Sequence, residues 1–212
     1  MHRIVFALTT ALVAAALPPS TAAAHEQLPR SLARLSPADF ASRVQSADDP
    51  LAGAVVLSTR QGYARSRAIQ GAHANDVHLR ASVDKRSGWV RWQVWHDLMY
   101  VGSRKDLHAV RYRSGGTTQS VTPFTVDHWL DQCPPTDAPG QCNHNARIGF
   151  ELPETTVREI AAHYRAGARV PWSFQFKDID GRDVTGGLAP AEAAGLVAAI
   201  DARADGRSAP LS

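Results

Sequence analysis

Hydrophobic positions recur along this chain with two periods, and the changes of period mark its elements. Between Asp76 and His96 the run DVHLRASVDKRSGWVRWQVWH alternates apolar and polar residues. Val77, Leu79, Ala81 and Val83 fall on one side, and Val90, Trp92 and Val94 repeat the pattern after KRSG. A period of two is that of a strand with one buried face, and two such runs around a polar turn predict a hairpin. With Arg86 and Ser87 at the turn centre, Val83 meets Val90, Ala81 meets Trp92, Leu79 meets Val94 and Val77 meets His96. A slip of one residue would set Val83 against Trp89 and Ala81 against Arg91, mixing the faces.

Further strands are predicted at Ala54–Ser58, Leu98–Val101, Leu107–Tyr112, Gln119–Thr125, Arg147–Leu152 and around Trp172, Phe174 and Phe176, with a hairpin-type turn at Asp180-Gly181. The period lengthens in three places. Ser36-Pro37-Ala38-Asp39 carries a cap, a proline suited to the first turn and an acid in that turn, with Leu35 and Phe40 spaced as a staple, so a helix runs to about Gln45. Pro153 opens a second through about Ala166, with Val157, Ile160, Ala161 and Tyr164 as its apolar stripe. The third, about 190–203, buries Ala193, Leu196, Val197 and Ile200. Strict strand–helix alternation is missing, so the expected class is α+β: an antiparallel β-meander packed with about three α-helices and held by one disulfide.

The first 24 residues have a different character. Arg3, an apolar run from Ile4 to Leu17 and Ala22-Ala23-Ala24 form the pattern of a cleaved secretory signal. The expected organisation is a signal peptide at 1–24, an N-terminal arm at 25–35, a single domain at 36–203 and a flexible tail at 204–212, in a periplasmic or secreted protein without a membrane anchor after cleavage. The formal net charge of +3 comes from interspersed Lys, Arg, Asp and Glu, with no basic block, which argues against nucleic acid as a partner.

An oxidising compartment changes the reading of the two cysteines. Cys133 and Cys142, in DQCPPTDAPGQCNHN, are too far apart for a zinc knuckle, and only His144 is near them. They are expected to form a structural disulfide, contributing roughly 2–3 kcal/mol in the chain-entropy model. Cleavage after Ala24 would also leave His25 as the first residue. In that single residue the chain resembles secreted copper oxygenases, whose terminal histidine chelates copper through its amine and ring nitrogen. There the histidine begins a strand; here it precedes an arm and a helix.

Two more groups have the composition of sites. His73, Asp76 and His78 can ligate a divalent ion if the loop before the hairpin folds back, whereas His96 lies on the opposite, apolar face. Trp89, Arg91 and Trp95 share the outer hairpin face and can form a platform for a sugar or peptide, unless a helix covers them. Asp178-Ile179-Asp180-Gly181 lacks calcium-loop spacing and reads as a turn. The chain has no G-x-S-x-G, H-E-x-x-H, phosphate-binding glycine loop or G-x-G-x-x-G. The expectation is a non-enzymatic binding protein for an envelope component, small ligand or protein, with no cofactor. The alternative is a metal-dependent or motif-poor secreted enzyme using copper at His25 or a divalent metal at His73, Asp76 and His78.

Overall fold

The alternation in residues 76–96 sets the frame of the fold. In a computed structural model, Val83 pairs with Val90, Ala81 with Trp92, Leu79 with Val94 and Val77 with His96, the register that the pattern requires. The structure describes residues 27–63, 74–132 and 142–206, and of residues 74–76, 101, 131 and 132 the backbone alone.

In chain order the elements are α1 (Arg30–Ala33), α2 (Pro37–Ala41), β1 (Gln45–Ala47), β2 (Ala54–Ser58), β3 (Ala74–Asp84), β4 (Val90–Val101), β5 (Leu107–Ser114), β6 (Thr117–Val121), β7 (Thr125–Gln132), β8 (Asn143–Leu152), α3 (Glu154–Ala162), β9 (Trp172–Asp178), β10 (Val184–Leu188) and α4 (Pro190–Ala204). They form two antiparallel sheets, one ordered β1-β2-β3-β4-β8-β7 and the other β10-β9-β5-β6. This corrects the expected α+β class. With ten strands against four short helices among the described residues, the fold is mostly antiparallel β. The meander fails because β8 takes the free edge of β4, from Trp92↔Leu152 to Val101↔Asn143. Strand β5 therefore crosses to the second sheet and pairs with β9. The expected Cys133–Cys142 clasp is no part of this description of the fold: Cys133 lies outside the described residues, as do residues 1–24 and His25.

The inner faces of the two sheets close on one core. Val77, Leu79, Ala81, Trp92, Val94, Leu98, Ile148 and Phe150 from the first meet Val110, Tyr112, Phe174, Phe176 and Leu188 from the second. Phe174 and Phe176 sit edge-on to each other at 5.3 Å and to Phe150 at 5.1 and 6.0 Å. Val157 and Ile160 of α3 and Ala193, Leu196 and Ile200 of α4 join the same core, so the helices cover its flank and not the outer hairpin face. Arg158 ties α3 to α4, donating to Glu154 at 2.7 Å and to both Asp201 oxygens at 2.7 and 3.0 Å.

The first predicted helix is shorter than expected. Ser36 and Asp39 form the reciprocal cap, with Ser36 N–H donating to Asp39 Oδ2 at 2.8 Å and Asp39 N–H to Ser36 Oγ at 3.2 Å. The helix ends at Ala41 because Gln45–Ala47 extends to pair with β2. The arm from residue 27 is ordered too. Leu28 and Leu32 are buried with Phe40, Ala189 and Ala191 in a second small core. Leu28 is pinned by its N–H to Arg169 O and by Arg169 Nε to its own carbonyl, each at 2.9 Å. Among the described residues, no helix is long and apolar enough to cross a membrane.

Candidate functional site

The outer face of the larger sheet is where side chains with chemistry collect, because strand parity puts them there. In β3 and β4 the positions opposite the core residues are His78, Arg80, Gln93, Trp95 and Asp97, with His78 paired to Trp95, Arg80 to Gln93 and Asp76 to Asp97. Strand β8 adds Arg147 beside Asp97 and Gly149 beside Trp95. Just after β2, Arg60 reaches the same acid.

Gly149 makes the floor of the aromatic part. Its missing side chain leaves room for the Phe124 ring: a Cβ there would lie 2.5 Å from Phe124 Cζ. The Phe124 N–H donates to Gly149 O at 2.9 Å, holding the ring in place. Phe124 meets Trp95 edge-on at 5.4 Å, and the Trp95 indole N–H donates to Gln93 Oε1 at 3.2 Å. On the indole face lies the Arg80 guanidinium, 4.4 Å from the ring centroid. A guanidinium on an indole is held by ring electrostatics worth about 0.5–2 kcal/mol, and its N–H edges stay available to an acceptor.

Three guanidinium groups surround one carboxylate. Arg147 grips Asp97 with two hydrogen bonds, Nε to Oδ1 at 2.6 Å and Nη2 to Oδ2 at 3.1 Å. Arg60 makes only a long contact to Oδ2 at 3.5 Å. Arg80 makes no side-chain hydrogen bond or ion pair with any described residue. Burial opposes ionisation of Asp97, but the hydrogen bond and charge of Arg147, followed by Arg60 and His78, hold its carboxyl below the usual carboxylate range. Burial lowers the pKa of Arg80, and repulsion from Arg60 and Arg147 lowers it further against the attraction of Asp97. The described side chains therefore leave more positive charge than Asp97 neutralises.

Beside Arg80 the outer face is hollow. Small residues line it at the β1–β2 edge, where Ala47, Val56 and Ser58 stand in place of long side chains. The cavity is about 740 Å³, closed by Gln45, Arg60, Gln61, Tyr63 and Arg80. A second hollow of about 400 Å³ lies at the far end of the hairpin, between Trp89, Arg91, Glu151 and Pro153. There Arg91 is paired with Glu151 at 3.5 Å and lies 5.5 Å from the Trp89 ring, so its charge is matched.

The structure thus separates the three residues read as one platform. Trp89 is 60% exposed and stays with Arg91, while Trp95 is partly covered by Arg80 and Phe124. Of the metal candidates, His25 and His73 lie outside the described residues, and only the backbone of Asp76 is described. His78 was expected on a solvent face but is 1% exposed. Among the described residues no three His, Cys, Asp or Glu side chains gather as a metal site. His96 is buried between Phe174 and Phe176, on the core side as its register requires. His144 stacks on Tyr100 at 5.3 Å.

Sequence reasoning missed Arg80 and Asp97, although parity and the hairpin register place both beside Trp95. Arg60, Phe124 and Arg147 had no local signal, since each arrives from another element. Comparison with protein-family models, with curated proteins and with solved structures gives no match to this chain.

Proposed function

We propose that the protein is an exported, non-enzymatic binding protein of the cell envelope, and that it holds an anionic ligand in the cavity beside Arg80. The observation that carries this reading is the state of Arg80: fixed on Trp95, without a described acceptor, and lining a 740 Å³ hollow. A fixed guanidinium loses less freedom when it takes up a carboxylate or phosphate than a mobile one does. Arg60 is the second contact. It is 44% exposed and joined to Asp97 by one long bond, so it can turn to a ligand while Arg147 keeps the carboxylate paired. The size of the hollow falls within the usual range for small-molecule sites. Export is supported by the leader-like pattern of residues 1–24.

Calorimetric titration with a panel of carboxylates, phosphates and sulfates tests the binding. One anion should bind with 1:1 stoichiometry, with affinity falling as salt rises. Arg80→Gln should weaken it at least tenfold, about 1.4 kcal/mol, in a protein that still unfolds in one cooperative transition. Equal affinity in wild type and variant would refute the assignment.

A further inference from the structure

We infer that the ligand of this cavity is a polyhydroxylated anion, a sugar bearing a carboxylate or phosphate group; this deepens the proposed function and rests on it. The lining divides into two kinds of group. Arg60 and Arg80 supply the charge on one side. Gln45, Ser46, Ser58, Gln61 and Tyr63 are uncharged groups able to form hydrogen bonds, and among the described residues no acid lines the hollow.

Amides and hydroxyls both donate and accept, which is what a ligand hydroxyl requires, since it also does both. A bare oxyanion only accepts, so it has no use for the amide and hydroxyl oxygens. Gln45 Nε2 donates to Gln61 Oε1 at 2.5 Å, which orients the pair and leaves Gln45 Oε1 as acceptor and Gln61 Nε2 as donor. Ala47 and Val56 offer small apolar patches for the C–H face of a ring. At about 740 Å³ the hollow is far larger than one phosphate or carboxylate needs. A lipid chain or nucleobase would need broad apolar or aromatic surface, and among the described residues the lining provides Tyr63 alone as an aromatic. An acidic peptide would have to extend the sheet edge at β1, whose three residues give a short ladder.

The test compares glucuronate, glucose 6-phosphate, glucose, inorganic phosphate, acetate and tetraglutamate by calorimetry on the same protein. At least one acidic sugar should bind tenfold or more tighter than both glucose and the bare anions, and the two acidic sugars tell a carboxylate from a phosphate preference. Arg80→Gln should erase the advantage over glucose. Gln61→Ala, at an exposed position, should erase the advantage over the bare anion while leaving the thermal midpoint unchanged. Bare anions binding as well as acidic sugars would overturn this inference and leave the anion site standing, and so would a preference for tetraglutamate. Failure of every anion to bind would remove the site itself.

Discussion

At the scale of single residues, Asp97 decides how the outer face works. It is the described acid that keeps three arginines on one sheet face, and its side chain is only 20% exposed. Its folded pKa lies below the ordinary value of 3.8, so the native state keeps the carboxylate ionised to lower pH than the unfolded chain does. The resulting stabilisation is complete above about pH 3.8 and is lost as the pH falls through the depressed folded value. Asp97→Asn should therefore destabilise the protein by about 1–3 kcal/mol at pH 7, and the gap should narrow below pH 3.8. Urea unfolding midpoints of both proteins across pH 3–7 measure this; a constant gap would mean that folding does not lower the Asp97 pKa. The position was legible in principle: Asp97, Trp95, Arg80 and His78 share a face by parity once the hairpin register is known. What parity does not give is how covered a face is, which is why His78 reads as exposed in the sequence and is buried in the fold.

At the scale of elements, two glycines fix how close neighbours approach. Gly195 lies inside α4, where alanine ordinarily adds about 1 kcal/mol of helix stability. Here a Cβ would lie 2.5 Å from Phe40 Cβ and 2.7 Å from Pro37 O of α2. Overpacking of this kind costs about 1–3 kcal/mol, so Gly195→Ala should lower the thermal midpoint, against its helix propensity. A rise would show that α2 does not sit on α4 as closely as described. Gly149→Ala should act on the site. By pushing Phe124 off its seat it should change the fluorescence of Trp95 and weaken ligand binding, with a smaller effect on stability; unaltered fluorescence and affinity would count against Phe124 as the wall of the aromatic stack. Elements whose amphipathic period runs uninterrupted were legible: the hairpin, the alternating Trp172-Phe174-Phe176 strand and α4. Strand β1 was not, since Gln45–Ala47 is three residues with no period and forms because β2 offers it an edge. Strand β7 was missed because Thr125–Gln132, TVDHWLDQ, is a polar-rich edge strand whose one neighbour, β8, lies beyond the cysteine loop.

At the scale of the whole molecule, the difference between a meander and two facing sheets was beyond the reach of local pattern. Both arrangements use the same apolar alternation. The choice turns on which strand takes the free edge of β4, and the winner, β8, comes some forty residues later with Ala146, Ile148, Phe150 and Leu152 all facing the core. Among the described residues α3 and α4 pack against the core and not over the outer face, and the arginine-lined hollow lies on that face. The leader pattern makes its own prediction at this scale. Expressed with its full N-terminal segment in a secreting host, the protein should be recovered with His25 as first residue, read by intact mass; a retained residue 1–24 segment would remove export from the account. The central claim, an anion held against Arg80 on the Trp95 face, is tested most directly by following the tryptophan indole and arginine Nε–H signals in a nitrogen–proton NMR spectrum as an acidic sugar is added. The account predicts saturable shifts at Trp95 and Arg80, with Trp89 at the other end of the hairpin unmoved; shifts confined to Trp89, or none at either tryptophan, would contradict it.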